Sequence, residues 1–124
     1  MSTKKSVVLI GLRPELADFS NHPGLNPEKL MTQLNADLSG LIDQGYDAQL
    51  CLVDLGETAG AVVKKKLAEK PFDCVMIGAG VRTYPGHFLL FEQLINLVHQ
   101  QAPSARICFN TRPDDTAEAI RRWV

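Results

Sequence analysis

The sequence alternates four times between a short apolar run, which predicts a β-strand, and a longer amphipathic segment, which predicts an α-helix. Strands joined by helices in this way form right-handed crossovers and therefore lie parallel in one sheet. A length of 124 residues suits one domain with its own core, so we expect a single α/β domain over residues 1–124. The predicted strands span residues 6–12, 48–55, 74–80 and 105–110, and the predicted helices span residues 27–44, 58–70, 86–101 and 114–124.

The polarity of the strands predicts their order in the sheet. The first and third runs are the most apolar and suit central positions, where helices cover both faces. Asp47 directly precedes the second run and Gln49 lies within it, and the fourth run is short, so both runs suit the edges. We therefore expect a three-layer, flavodoxin-like or Rossmann-like sheet with strand order 2-1-3-4. In such sheets, ligands bind outside the carboxyl ends of the strands at the switch point, which here lies between the first and third strands.

An arginine follows three of the four predicted strands within a residue or two: Arg13, Arg82 and Arg112. The carboxyl ends of parallel strands meet at one edge, so we expect the three guanidinium groups to start from that edge. Guanidinium groups bind carboxylates and phosphates through paired, charge-assisted hydrogen bonds. The sequence therefore predicts an anion-binding pocket at this edge, with further contacts from Gly80, Thr83 and Thr111.

Local partners offer an alternative explanation for the same residues. Two of the arginines have acidic neighbours in the sequence: Glu15 and Asp18 for Arg13, and Asp114 and Asp115 for Arg112. Threonine hydroxyls readily bond to nearby backbone, so both threonines are also typical of turns and helix starts. The sequence leaves open whether a ligand or these acids compensate the arginines.

Two histidines are candidates for proton transfer. His87 lies in the first turn of the third predicted helix, near the same edge, and imidazole titrates near neutrality. His22 belongs to the long loop 13–26, and loops of this length often cover a binding site. Lone histidines in such places are more often structural than catalytic. Asp54 and Glu57 could balance the arginines or simply start the second helix.

The third predicted helix, residues 86–101, is apolar around about half of its circumference. A helix that packs on a sheet needs a stripe only a little over about 100° wide. The surplus could contact a loop or a neighbouring helix. It could also form a two-fold interface, the commonest form of protein oligomer, so a homodimer through this helix is a second hypothesis.

The composition excludes several function classes. Thirteen basic and fourteen acidic residues nearly balance, so we expect no general attraction to nucleic acid or to an anionic membrane. The amino-terminal apolar run is too short for a signal peptide or a membrane span, which predicts a cytoplasmic protein. The three cysteines are widely spaced, which predicts buried free thiols and no metal site; these are Cys51, Cys74 and Cys108.

Known nucleotide-binding and phosphatase motifs do not fit the chain. Residues 78–83 (GAGVRT) match a dinucleotide-binding fingerprint at only two glycines, and no P-loop motif is present. The sequence from Cys108 to Arg112 is two residues shorter than the cysteine-to-arginine loop of tyrosine phosphatases. The segments 78–83, 87–92 (HFLLFE) and 108–116 (CFNTRPDDT) resemble short bacterial proteins described only as uncharacterised. This resemblance covers most of the chain and implies no activity, and no cofactor follows from it.

These observations favour a small domain that binds an anionic carboxylate or phosphate compound at the carboxyl edge of its sheet without catalysis. No activated nucleophile or metal cluster is visible in the sequence, which makes the binding function preferable to an enzyme. The alternative is a small enzyme that acts on an anionic metabolite, with His87 or an aspartate as the acid or base.

Overall fold

The computed structural model, which describes residues 4–20, 23–83 and 86–124, has a four-stranded parallel sheet in the order β2-β1-β3-β4. The predicted strand order is confirmed. Strand β1 pairs with β2 along its whole length of seven residues and with β3 from Val7 to Ile10. The strands are β1 (Ser6–Leu12), β2 (Asp47–Val53), β3 (Cys74–Ile77) and β4 (Arg106–Phe109).

Helices cover both faces of the sheet, which gives three layers. In the sheet, β2 lies on one side of β1 and β3 on the other, so the connections from β1 to β2 and from β2 to β3 run across the sheet in opposite directions. Because crossovers share the same handedness, these two connections place their helices on opposite faces. Helices α2 and α4 pack on one face and α1 and α5 on the other. Among the described residues, no helix combines the length and apolar character needed to cross a bilayer. The helices are α1 (Pro27–Asp43), α2 (Ala59–Leu67), α3 (Ala79–Arg82), α4 (Phe88–Gln101) and α5 (Thr116–Arg121), and 3-10 turns span Pro14–Leu16 and Pro113–Asp115.

The ends of α1 follow from its sequence as predicted. The side chain of Asn26 accepts a hydrogen bond of 2.8 Å from the backbone N–H of Lys29, and Pro27 occupies the first position, where no N–H is needed. Gly45, with a φ of +97°, follows the helix in the left-handed region that glycine tolerates best.

The carboxyl end of β3 differs from the prediction. The sequence predicts a strand as far as Gly80, but β3 ends at Ile77, and the next residues form one turn of helix, α3. A side chain at Gly78 would lie 3.3 Å from the carbonyl oxygen of Ile10, and the Gly78 N–H donates to that same oxygen at 2.8 Å. The short run of small and apolar residues is compatible with either structure, so periodicity could not separate them.

Helix α4 buries most of its broad apolar face within the domain. Leu90, Leu94 and Val98 are buried in the core between the sheet and α2, and Phe91 packs edge-on against Phe109 with ring centroids 5.7 Å apart. Phe88 and Leu89, at the start of the helix, are 68% and 72% exposed. The surplus apolar surface is therefore concentrated in the first turn. The helix begins at Phe88, two residues after the predicted start.

The three cysteines are buried free thiols, as predicted. Burial raises the pKa of Cys51 to about 11, so this thiol stays protonated at neutral pH and is a poor nucleophile. The sulfur atoms of Cys74 and Cys108 lie 3.4 Å apart on the neighbouring strands β3 and β4. The hydrogen bond with Cys108, together with burial, raises the pKa of Cys74.

Candidate functional site

A cavity of about 360 Å³ lies at the carboxyl edge of the sheet, between the ends of β1 and β3, helix α1 and the loop before α1. We call it the edge cavity. It lies at the switch point between β1 and β3, where open α/β sheets bind their ligands. Its volume is near the lower end of the range of about 300–1,000 Å³ for small-molecule sites. Apolar side chains form most of its wall: Leu9, Leu12, Leu50, Leu52 and Met76 from the strands, Leu30 and Leu34 from α1, and Ala17, Phe19 and Leu25 from the loop.

The loop before α1 covers one side of the edge cavity. It begins with a hydrogen bond of 2.9 Å from the backbone N–H of Arg13 to the carbonyl oxygen of Val53, and the turn Pro14–Leu16 follows. Phe19 and Leu25 then contribute to the cavity wall. The loop thus occupies the position that the sequence predicts for a cover. His22, the candidate base within it, lies outside the described residues.

A chain of hydrogen-bonded polar groups forms one end of the edge cavity. The side chains of Asn110 and Thr116 are buried, at 5% and 3% exposure. Asn110 donates through Nδ2 to the Thr116 hydroxyl at 3.1 Å and accepts the backbone N–H of Ala79 at 2.8 Å. The Thr116 hydroxyl donates to Oδ2 of Asp37 at 3.4 Å, and Gln33 donates to Oδ1 at 2.9 Å. The chain joins α1, the start of α3, the residue that follows β4 and the start of α5, so the polar groups hold each other in place.

Asp37 is the acidic member of this chain, and it is not among the site residues predicted from the sequence. It lines the edge cavity and is half-buried. Burial raises its pKa, the hydrogen bonds from Gln33 and Thr116 oppose that rise, and the nearby carboxylates of Asp114 and Asp115 add to it. The missed signal is its place in the helix. With Leu34 three residues before it and Leu41 four residues after it, the carboxylate lies on the apolar stripe of α1.

Four of the predicted binding residues line the edge cavity: Gly80, Thr83, Thr111 and Arg112. Arg112 is exposed and forms an ion pair with Asp114, which raises the pKa of the guanidinium group. Thr111 bonds to Asp115 through its backbone N–H at 3.0 Å and through its hydroxyl. These contacts match the alternative explanation for Arg112, in which its acidic neighbours in the sequence compensate its charge. They also leave the exposed guanidinium group accessible at the cavity rim.

Arg13 starts from the same edge but is not among the described residues that line the edge cavity. It forms an ion pair with Glu15, with its Nε 2.8 Å from the carboxylate, and both side chains are 55% exposed. The sequence offers this pairing as the alternative to a shared ligand. Exposed ion pairs contribute only about 0–1 kcal/mol to stability, so the pair is readily exchanged.

Arg82 forms hydrogen bonds that connect the carboxyl ends of β3 and β4. Its Nε donates to the carbonyl oxygen of Ile77 at 3.1 Å, and its terminal nitrogen donates to the carbonyl oxygen of Asn110. The guanidinium carbon lies 5.1 Å from the centre of the Phe109 ring. Burial lowers the pKa of this group, although an arginine remains charged. Arg82 is not among the described residues that line the edge cavity, and its partners here are carbonyl oxygens.

The remaining candidates lie around the same edge. Nδ1 of His87 lies 3.0 Å from the carbonyl oxygen of Gly80, which fixes the proton on that nitrogen because a carbonyl only accepts. His87 is outside the described lining of the edge cavity. Asp54 caps the start of α2 with hydrogen bonds from Gly56, Thr58 and Ala59, and the bond from the Thr58 hydroxyl lowers its pKa.

The site thus combines apolar walls, a fixed carboxylate at one end and an exposed guanidinium at the rim. Such a cavity can bind a small molecule by burying its apolar part and pairing its polar ends. Within residues 4–20, 23–83 and 86–124, no group of three His, Cys, Asp or Glu side chains is arranged to hold a metal ion. No protein-family model, curated protein or solved structure matches this chain.

Proposed function

We propose that this domain binds a small, largely apolar molecule with an anionic group in the edge cavity, without catalysis. The observation that carries the proposal is the apolar cavity at the switch point between β1 and β3. We propose that the sheet, with its strand order 2-1-3-4, is a shortened flavodoxin-like or Rossmann-like sheet, in which this place is the usual ligand site.

The anionic group of the ligand is proposed to bind at the rim beside Arg112. The Arg112–Asp114 pair is exposed, with side-chain accessibilities of 68% and 64%. Since such pairs contribute only about 0–1 kcal/mol, a ligand carboxylate or phosphate can replace Asp114 at little cost. Thr83 and Thr111 line the same cavity, but their hydroxyls already donate, to the carbonyl oxygen of Ala79 at 2.8 Å and to the carboxylate of Asp115, so each would exchange that bond for one to the anion.

Arg112→Gln should weaken the binding of a small apolar carboxylate by about 10-fold, which corresponds to about 1.4 kcal/mol. Hydrocinnamate is a suitable probe, and a thermal-shift titration measures the effect. A ligand at 100 times its dissociation constant adds about 2.7 kcal/mol to stability. Arg13→Gln is the matched control, because Arg13 is also exposed and paired but lies outside the described cavity lining. Equal losses in the two variants would contradict a role for the rim.

An enzymatic function is the second candidate, and Asp37 is the observation that favours it. Burial raises the pKa of this carboxyl group, which lines the edge cavity, and such groups can act as acid or base. His87, near the same edge, is the other candidate base. The two functions differ in the fate of the ligand: a binding protein returns it unchanged, whereas an enzyme converts it during incubation.

We also propose that the domain forms a homodimer through α4. The exposed Phe88 and Leu89 in its first turn support this proposal. Leu89→Asp should convert a dimer into a monomer, as measured by size-exclusion chromatography with light scattering. Ile42→Asp is the control, because Ile42 is an exposed apolar residue on α1. A wild-type protein that is monomeric at high concentration would contradict the dimer.

We also propose that the protein is cytoplasmic. The three buried free thiols suit a compartment that keeps cysteines reduced. The near balance of thirteen basic and fourteen acidic residues supports a small-molecule partner in preference to nucleic acid or an anionic membrane.

A further inference from the structure

The geometry points to a zwitterionic ligand: we infer that Asp37 binds the ammonium group of a small apolar amino compound whose acidic group lies at Arg112. This inference rests on the proposed function and names the ligand class of the same cavity. Apolar amino acids and similar apolar compounds with one amino and one acidic group belong to this class.

The carboxylate of Asp37 has room for another donor. Each oxygen accepts one protein hydrogen bond, from Gln33 at 2.9 Å and from Thr116 at 3.4 Å. An ionised carboxylate offers about four lone-pair sites, and the bond from Thr116 is long. Since the residue lines the edge cavity, an ammonium group in the cavity can take up the remaining acceptor capacity.

None of the residues that the structure describes supplies a positive partner to this carboxylate. Among the described residues, the ion pairs involve Arg13, Lys66, Lys70 and Arg112, and none of them includes Asp37. The charged groups that act on Asp37 most strongly are other carboxylates, those of Asp114 and Asp115. The part of the edge cavity at Asp37 is therefore a negative site, and a cation is the complementary ligand group.

The apolar wall strengthens the preference for a ligand with an ammonium group. Leu34 and Met76 line the cavity together with Asp37, so a ligand that fills it removes water from the carboxylate. A buried carboxylate that loses water without gaining a partner is strongly disfavoured. An apolar acid without an amino group imposes this loss, whereas a zwitterion replaces the water with an ammonium group. The hydrogen bond from Gln33 at 2.9 Å, together with the longer one from Thr116, orients the carboxylate before the ligand arrives.

Three probes with the same phenyl body test the inference on the wild-type protein: L-phenylalanine, hydrocinnamate, which lacks the amino group, and phenethylamine, which lacks the carboxylate. Calorimetric titration at neutral pH should give an affinity for L-phenylalanine about 10-fold or more above that for hydrocinnamate. Phenethylamine should bind as well, through Asp37. This comparison needs no variant and therefore does not depend on how a variant folds.

Asp37→Asn then identifies the residue that is responsible. Asparagine keeps the shape and removes the charge; its one amide oxygen can accept from Gln33 or from Thr116, and its NH2 group takes the other position. The affinity for L-phenylalanine and phenethylamine should fall by about 10-fold or more, and the affinity for hydrocinnamate should stay the same or rise. Asp43→Asn is the control, because Asp43 is an exposed aspartate on the same helix outside the described cavity lining; it should change no affinity.

The outcomes separate this inference from the proposed function. One outcome is that hydrocinnamate binds with an affinity that depends on Arg112, while L-phenylalanine binds no tighter and its affinity is unchanged by Asp37→Asn. In that case the inference of a zwitterionic ligand is overturned and the anion site stands. If the amine probes bind through Asp37 while Arg112→Gln changes nothing, the ammonium site stands and the anion site fails. If none of the three probes binds at millimolar concentration, both are overturned.

Discussion

Arg82→Ala should lower the free energy of unfolding by about 1.5–3 kcal/mol, the range for hydrogen bonds to charged groups, and should leave the affinity of the edge cavity unchanged. The guanidinium group donates to carbonyl oxygens at the ends of both β3 and β4, those of Ile77 and Asn110. It also lies over the ring of Phe109. Alanine leaves these carbonyl groups without that donor and removes the link between the two strand ends. Urea denaturation measures the loss.

Two further variants control for the charge and for the exposed arginines. Arg82→Lys keeps the charge but cannot donate in two directions from a planar group, so it should recover only part of the stability. Arg13→Ala removes an exposed ion pair with Glu15 and should cost less than about 1 kcal/mol. If Arg82→Ala is as stable as Arg13→Ala but loses ligand affinity, Arg82 belongs to the ligand site and its structural role is wrong.

Asn110→Ala should lower the free energy of unfolding by about 1–3 kcal/mol and also weaken ligand binding. The Asn110 side chain accepts from the first N–H of α3, at Ala79, and donates to the buried hydroxyl of Thr116. Without it, the N–H loses its acceptor and the hydroxyl that holds Asp37 loses a partner. Urea denaturation gives the stability, and a titration with L-phenylalanine gives the effect on the cavity.

The matched control for this prediction is Asn96→Ala on α4. Asn96 is exposed, and its side chain donates within its own helix, to the carbonyl oxygen of Glu92 at 2.9 Å. Its replacement should change stability by no more than about 0.5 kcal/mol. Equal effects at the two positions would mean that the buried chain of hydrogen bonds does not stabilise the carboxyl edge of the sheet.

The strand order could be predicted because polarity along a strand reports its place in a sheet. Asp47 and Gln49 lie on the edge strand β2, where Lys70 pairs with Asp47 and Lys66 donates to Gln49 at 3.1 Å. The end of β3 could not be predicted, since it depends on the close approach of Gly78 to β1. That approach is a tertiary contact, and a local pattern does not contain it.

The location of the site could be predicted from the sequence better than its chemistry. The switch-point rule places ligands where the edge cavity lies, and Arg112 is at its rim. The direction of the Arg82 side chain was not predictable, because it depends on the helical turn α3, whose first two residues the sequence predicts as strand. Asp37 was predictable in principle, since an acid on the apolar stripe of α1 is unusual. Its link to Asn110 and Thr116 needs the fold.

The most direct test of the central claim, that the edge cavity is a ligand site, is to follow the backbone amide chemical shifts by NMR during titration with L-phenylalanine. The account predicts the largest changes at amides that line the cavity at the ends of β1 and β3 and after β4, those of Gly11, Gly78, Gly80 and Thr111. Changes confined to α4 or to the opposite edge of the sheet, or no saturable change at any amide, would contradict it.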